Sequence, residues 1–277
     1  FSYSWGVWTK QGQDLLGSAG DRSGWSVSLS SDGSVVAIGT PYNDGGGADV
    51  GRVRVYSYSG GAWTRVGGDI DGEAAEDKSG FIVSLSDDGR RVAISSHLND
   101  AGGENAGYVR VFEYESVGSS WTQLGASIVG EAAGDLSGWS LSLSGSGDRV
   151  AVGAQSNAGH GAGAGHVRVF QYASGADVWE QLGSDIDGEA AGDSSGLSVS
   201  VSRDGQRVAI GAPNAGSGID VGHARVYQIP FYPTSVPSGE PSGQPSGQPS
   251  GKPSGEPSGQ PSGQPTEQPT SQPSDQP

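Results

Sequence analysis

The chain has 277 residues, a formal net charge of −16, no Cys and no Met. Its acidity excludes binding to phosphate backbones, so no nucleic-acid partner is expected, and the lack of Cys excludes disulfides and thiol chemistry. No apolar run reaches the roughly 18 residues that a membrane span needs, so no membrane insertion is expected within this segment. The absence of Met at position 1 indicates a mature or excised segment.

A short motif, Asp-x-Ser-Gly, recurs along most of the chain. Its four copies end at Gly24, Gly80, Gly138 and Gly196, which are 56, 58 and 58 residues apart. A period of this size indicates a repeat architecture in which every copy forms one structural unit. The repeats occupy residues 1–232, and we expect them to form one domain.

Each repeat predicts four short strands, a to d. Strand a follows the Ser-Gly pair, and large apolar residues alternate there with Ser, as in Trp25–Ser30. A pair such as Asp32-Gly33 then predicts a tight hairpin into strand b, because both residues tolerate positive φ. A Gly-rich loop leads to strand c, of the type Val53-Arg-Val-Tyr56, and strand d opens on a Trp such as Trp63.

Four-stranded units at this period, with almost no helical pattern, predict an all-β fold, a β-propeller of four-stranded blades. The segment begins with a strand d at Trp8 and ends with a strand c at Ile229. We therefore expect the N-terminal strand to complete the last of four blades, which removes open sheet edges. Phe1–Ser4 also aligns with Tyr56–Ser59, the end of a strand c, so the alternative of a larger ring stays open.

Residues 233–277 differ from the repeats in composition. From Pro237 onward Pro recurs every fourth residue, mostly as Pro-Ser-Gly-Gln. Such a segment buries too little apolar area to offset the entropy of ordering, and it is predicted to be a disordered linker or stalk.

The repeats resemble the FG-GAP repeat of integrin-α-type propellers. The resemblance rests on Ser23-Gly24-Trp25, on Gly211-Ala-Pro213 and on Gly51-Arg-Val-Arg-Val-Tyr56, whereas the second repeat departs from it with Ser95-Ser96-His97. The family often carries a calcium loop between strands a and b. Here Ser31–Ser34 offers a single carboxylate, which cannot supply the 6–8 oxygens that Ca²⁺ requires, so no cofactor is expected there.

The d–a and b–c connections are expected on one rim of the propeller, which we call the long-loop face. Loops on a rigid scaffold commonly carry binding residues. The candidate ligand-binding residues on this face are Asp21, Asp77, Asp135, Asp193, Asn43, Asn99, Asn157, Asn214, Trp25 and Trp139. The alternative is that each Asp and Asn shapes its own turn through backbone hydrogen bonds, and that each Trp packs between sheets.

Other recurring residues are expected to be structural. The repeated Arg suits a bidentate ion pair with a repeated acid, and the repeated Trp suits packing between sheets. These residues are Arg54, Arg110, Arg168, Arg225, Trp8, Trp63, Trp121 and Trp179. The four His residues share no repeated spacing, so no metal site is predicted.

No nucleophile elbow or phosphate-binding loop is evident, so no catalytic residue is predicted. Together with the family resemblance, this favours a non-enzymatic recognition or adhesion module outside the cell or on its surface. Its partner is expected to be an extracellular protein or polysaccharide. Two alternatives stay open: a calcium-assisted, lectin-like carbohydrate-binding propeller, and a propeller hydrolase or lyase. Two close carboxylates, or a His with a strongly shifted pKa, in the central channel of the propeller would indicate the hydrolase.

Overall fold

A computed structural model of the chain describes residues 2–4, 6–215 and 221–230. These residues belong to one unit, residues 1–234. The second unit, residues 235–277, and the whole stalk predicted at 233–277 lie outside the described residues. Every regular element of the described residues is a β-strand, and none of them forms a helix that could cross a membrane.

The strands group into sheets that follow the sequence repeat. Two short strands come first, β1 (Ser2–Ser4) and β2 (Val7–Thr9). Blade 1 contains β3 (Ser26–Leu29), β4 (Val35–Thr40), β5 (Arg52–Ser59), β6 (Ala62–Arg65) and β7 (Ile70–Asp71). Blade 2 contains β8 (Val83–Leu85), β9 (Arg91–Ser96), β10 (Tyr108–Glu115), β11 (Ser120–Gln123) and β12 (Ile128–Val129). Blade 3 contains β13 (Ser140–Leu143), β14 (Arg149–Ala154), β15 (His166–Ala173), β16 (Val178–Gln181) and β17 (Ile186–Asp187). Blade 4 contains β18 (Ser198–Val201), β19 (Arg207–Ala212) and β20 (His223–Gln228).

Blades 1 to 3 are antiparallel meanders in the order a-b-c-d, and blade 4 contributes a-b-c within the described residues, which confirms the β-propeller predicted from the sequence. Strand d is split in two, so that in blade 1 β6 pairs with the end of β5 and β7 pairs with its beginning. The hairpin turns need a left-handed residue, and Gly33 supplies it with a φ of 71°. The pairing also aligns the first residues of the four c strands, which are Arg52, Tyr108, His166 and His223.

Consecutive blades pack through two unlike faces. The front face of a blade carries the large residues of strand a, and the back face carries its Ser residues. Between blades 1 and 2, Val53 and Val55 on the back face bury Val83 and Leu85 on the front face. The small Ser side chains let the strands approach closely. The Leu85 N–H donates to Ser28 Oγ at 2.9 Å, and the same bond joins the next blades, from Leu143 to Ser84 and from Val201 to Ser142.

The N-terminal strand corrects one expectation. Within the described residues β2 pairs with β1, and β20 is the last strand of a three-stranded sheet, so β2 does not complete blade 4. The short connection between β1 and β2 favours this local hairpin, because closing a short loop costs little entropy. Tyr3 lies opposite Trp8, as Tyr58 lies opposite Trp63 in blade 1, so the hairpin has the register of a c–d pair.

Candidate functional site

The repeated Asp residues lie buried under the long-loop face. Asp135 accepts the N–H of Ala132 and the side-chain amide of Asn157, both at 3.0 Å. Asp77 accepts the N–H of Ala74 at 3.0 Å and the amide of Asn99 at 2.9 Å. Asp21 accepts the N–H of Ser18, and Asp193 accepts those of Glu189 and Ala190. The structure thus brings the Asp and Asn candidates of blades 2 and 3 together, and their contacts are with each other and with the turn.

The remaining Asn candidates lie in different positions. Asn43 Oδ1 accepts the N–H of Gly45 at 3.0 Å. Asn214 is offset by one position, because Ala215 makes the backbone bond to Ala212 that Asn43 makes to Thr40. The sequence alignment that grouped Asn214 with the other three is therefore corrected. Asn214 is exposed, and its amide contacts Ser194.

The aromatic candidates belong to a row of rings at the start of the a strands. Trp25 packs against Tyr42 and Phe81, and Phe81 packs against Trp139, with ring centroids 5.4–5.8 Å apart. The imidazole of His97 stacks on Phe81 at 3.9 Å. Burial of His97 beneath these rings, together with the positive charge of Lys78, lowers its pKa to about 4. The sequence analysis noted His97 only as a departure of the second repeat from the FG-GAP pattern and assigned it no role.

The recurring Arg residues join strands and blades. The Glu of each Glu-Ala-Ala loop pairs with the c-strand Arg of the following blade, as Glu73 does with Arg110. Arg110 Nη2 also donates to the carbonyl of Asp71 at 2.7 Å. The same Glu–Arg pairing joins Glu131 to Arg168 and Glu189 to Arg225, whereas Arg54 pairs with Asp69 in its own blade.

The recurring Trp residues lie on the d strands. Trp121 Nε1 donates to the carbonyl of Val66, and Trp179 Nε1 donates to that of Leu124, in each case in the preceding blade. Trp63 Nε1 donates in the same way to Gln11, in the segment after β2. Trp8 lies on β2 and is mostly exposed.

Within the part of the chain that the structure describes, blade 3 alone carries a cluster of two acids and a His that could hold a metal ion. His166, the first residue of its c strand, faces Glu131 from the d–a loop and Asp185 just before β17. His166 Nδ1 lies 3.9 Å from Glu131 Oε2 and 3.8 Å from Asp185 Oδ2, and one potential ligand atom of each residue lies within 4.8 Å of the others. His166 is 1% exposed, whereas both carboxylates reach solvent. The cluster therefore has a fixed nitrogen and two adjustable oxygens.

The surroundings of His166 favour the neutral form of its imidazole. Burial lowers its pKa, and the guanidinium of Arg168 lowers it further, whereas Asp185 and Glu131 raise it. Nε2 is buried without a hydrogen-bond partner among the described residues, so the polar contacts of the ring lie on the Nδ1 side. A neutral imidazole can offer a lone pair to a metal ion. Ligand atoms around a tetrahedral Zn²⁺ lie about 3.4 Å apart, so the two carboxylates need to move by only about 0.5–1.5 Å.

The equivalent place in blade 1 is filled by the protein itself. Arg52 stands where His166 stands, and its guanidinium lies 2.9 Å from Asp69 and 2.5 Å from Asp71, the equivalents of Asp185 and Asp187. In blade 2 the position is Tyr108, and Ser127 and Val129 replace the two acids. Blade 3 thus keeps the acids of blade 1 without its cation. Sequence reasoning missed this cluster, although the exchange of Arg for His beside acid positions that blades 1 and 3 share was a readable signal.

Comparison with known proteins adds a tail assignment and a set of distant structural similarities. Residues 232–262 and 248–277 match the PT disordered repeat, which supports the disordered tail. No curated protein sequence matches the chain. Similar solved structures include a 6-phosphogluconolactonase from Bacteroides uniformis, described as putative (14% identity, TM-score 0.48, covering 74% of this chain and 56% of that one). Another is the periplasmic gluconolactonase PpgL of Pseudomonas aeruginosa (17% identity, TM-score 0.47, covering 75% and 57%).

These similarities correct the functional expectation. The similar propellers just described are named as lactonases, which contradicts the expected non-enzymatic adhesion module and the expectation that the chain is no enzyme. The FG-GAP identity is likewise not supported beyond the propeller fold. The chain spans between 40% and 57% of the length of the similar structures. At identities of 12–17% the reactions and substrates of those proteins are not transferred to this chain.

Proposed function

We propose that the protein binds a divalent transition-metal ion at Glu131, His166 and Asp185, and that the bound ion activates water for hydrolysis. The observation that carries the proposal is the comparison between blades. Asp69, which pairs with the guanidinium of Arg52 in blade 1, has its equivalent in Asp185 of blade 3, where an imidazole replaces the built-in cation and Glu131 adds a second carboxylate. An external cation can take the place of that guanidinium.

The donor set favours a particular class of metal. One imidazole nitrogen and two carboxylate oxygens suit Zn²⁺, Mn²⁺ or Co²⁺, whereas Ca²⁺ prefers a shell of oxygens alone. Arg168 holds the second oxygen of Glu131, with Nη1 at 3.5 Å from Oε1, and so orients the carboxylate toward His166. Burial and the charge of Arg168 lower the pKa of His166, which favours the unprotonated nitrogen that a metal ion needs.

Three protein ligands leave at least one coordination position for water, which is the arrangement of catalytic rather than structural zinc sites. A bound ion lowers the pKa of its water and so supplies a nucleophile near neutral pH. Both carboxylates reach solvent, so a substrate can approach the position next to the ion. The proposed reaction class is therefore metal-assisted hydrolysis of an ester, lactone or phosphate ester.

Metal binding is tested by calorimetric titration of the full chain with Zn²⁺, Mn²⁺ and Ca²⁺. We expect one Zn²⁺ per chain, and we expect His166→Arg to weaken binding by about 100-fold or more while keeping the fold, because it rebuilds the arrangement of blade 1. The control is His223→Arg, the same exchange at the equivalent position of blade 4, which should leave binding unchanged. Equal Zn²⁺ binding by wild type and His166→Arg would contradict the site.

The reaction class is tested separately with the metal-loaded chain. A panel of activated esters, lactones and phosphate esters is assayed with wild type, His166→Arg and His223→Arg. Hydrolysis by wild type and by His223→Arg, lost in His166→Arg, is the expected result. Stoichiometric metal binding without any hydrolysis would remove the catalytic part of the proposal and leave the metal site.

A further inference from the structure

The two ends of the blade series expose faces that are buried everywhere else. On the front face of blade 1, Val27 is 63% exposed and Leu29 58% exposed. Their equivalents are Val83 and Leu85 in blade 2 and Leu141 and Leu143 in blade 3, and these are 5–7% exposed. The difference follows from position, because only the front faces of blades 2 to 4 have a preceding back face against them.

The back face of blade 4 shows the complementary exposure. Val226 is 66% exposed, whereas its equivalents Val55, Val111 and Val169 are at most 4% exposed. Ser198 and Ser200 are exposed as well, although the equivalent Ser142 of blade 3 accepts the N–H of Val201 across the blade interface. The open front face and the open back face are thus the two halves of one interface that the chain already forms between each pair of neighbouring blades.

We infer that these two faces are covered by a second copy of the chain, with the back of blade 4 in one copy packed on the front of blade 1 in the other. Both faces are open at once in this structure, so a single copy does not cover them by closing on itself. Continuing the repeated register places Ser200 Oγ of one copy opposite the Leu29 N–H of the other. Two copies joined head to tail can close into a ring, and a pairing that does not close would extend into a filament.

The N-terminal hairpin fits the same arrangement. The segment after β2 already lies against the d strand of blade 1, where Gln13 bonds both the N–H and the carbonyl of Trp63. This covers the outer part of the front face and leaves Val27 and Leu29 on its inner part. In register, β1 corresponds to the end of a c strand, which in blade 4 is residues 228–230, beginning at the last residue of β20. On docking, these residues of the second copy take the place of β1 beside β2, and blade 4 gains its fourth strand.

The test is the mass of the full chain in solution, measured by sedimentation velocity across a range of concentrations. We expect wild type to associate and Leu29→Glu and Ser200→Arg each to be monomeric. An equal mixture of the two variants should associate again, because it retains one intact pair of faces and places Glu opposite Arg at the other. The control is Val117→Glu, a change at a fully exposed valine between the c and d strands of blade 2, which should associate like wild type.

A disulfide experiment guards against variants that fold poorly, and the chain has no Cys of its own to interfere. Cysteines at Leu29 and Ser200 should cross-link two copies, whereas cysteines at Ser142 and Val201, the equivalent pair inside one chain, should cross-link within a copy. Wild type that stays monomeric up to about 100 μM would overturn the inference, as would a Leu29–Ser200 cross-link found only within single copies.

Discussion

The buried imidazole of His97 predicts a loss of stability in weak acid. His97 is 5% exposed, and its pKa in the folded chain is about 4, against an ordinary value of 6.5. The unfolded chain therefore takes up a proton at a higher pH than the folded chain. Above pH 6.5 the burial of neutral His97 does not lower the free energy of unfolding. As the pH falls from 6.5 toward 4, the free energy of unfolding decreases, because the unfolded chain gains a proton at His97 that the folded chain does not.

The size of the effect follows from the two pKa values. At about pH 4.5 the linkage relation gives a loss of about 2.5 kcal/mol from this residue, and the loss approaches about 3.4 kcal/mol at lower pH. His97→Gln removes the titration and places there the residue that blade 3 carries at the equivalent position, Gln155. Relative to wild type, the variant should gain about 2.5 kcal/mol between about pH 7 and pH 4.5.

Urea unfolding of wild type and variant at both pH values measures this difference. The pH-dependent contribution of the carboxylates is the same in the two proteins, so it cancels in the comparison. A direct check is the NMR titration of the His97 ring, which should stay neutral until the pH approaches 4. The reasoning would be refuted by a wild-type-to-variant difference in unfolding free energy that is the same at both pH values.

Three further predictions concern the contacts that join the turns and blades. Asp135→Ala leaves the backbone N–H of Ala132 and the side-chain amide of Asn157 without their acceptor, and it should lower the free energy of unfolding in urea by about 2–4 kcal/mol. The control Asp44→Ala, at an exposed carboxylate, should lower it by under about 1 kcal/mol. Equal losses for the two variants would contradict the buried role of Asp135. Trp121→Phe removes the bond to the Val66 carbonyl and should cost about 1 kcal/mol, as should Trp179→Phe in the next blade; a thermal melt without any change would argue against the inter-blade bond. Gly107→Ala puts a Cβ at 2.2 Å from the Ser137 carbonyl oxygen at φ 78°, and it should destabilise by more than about 3 kcal/mol. The control Gly134→Ala shares the positive φ of 82° but meets no atom within 4 Å, so its cost should stay near 1–2 kcal/mol; similar costs for the two would rule out the contact.

The parts of the structure that depend on local pattern could be read from the sequence. The period of the Asp-x-Ser-Gly motif predicts the blade, and the alternation of Ser with large apolar residues predicts both faces of strand a. The contact of Glu131 with His166 depends instead on where the d–a loop of one blade meets the c strand of the next. No spacing rule for metal ligands covers such a contact, so the absence of a His repeat was a poor guide. The pairing of β2 with β1 was missed because the repeat assigns a strand its type, not its partner.

The differences between the repeats, rather than their common residues, favour blade 3 as the place of a ligand site. A residue that every blade needs for its own turn, such as the Asp of Asp-x-Ser-Gly, recurs in all four copies and is buried in hydrogen bonds to that turn. A ligand site is not needed four times, so it should stand where one copy departs from the others. Blade 3 departs in charge balance, because a His faces Asp185 where blade 1 sets Arg52 against the equivalent Asp69. Without a bound ion, the two carboxylates of this site face an uncharged ring and have no cation to pair with. His166→Arg should therefore stabilise the metal-free chain, because it restores the ion pair of blade 1. Greater stability of His166→Arg without metal, together with greater stability of wild type at saturating Zn²⁺, is therefore the combined result that the metal site requires.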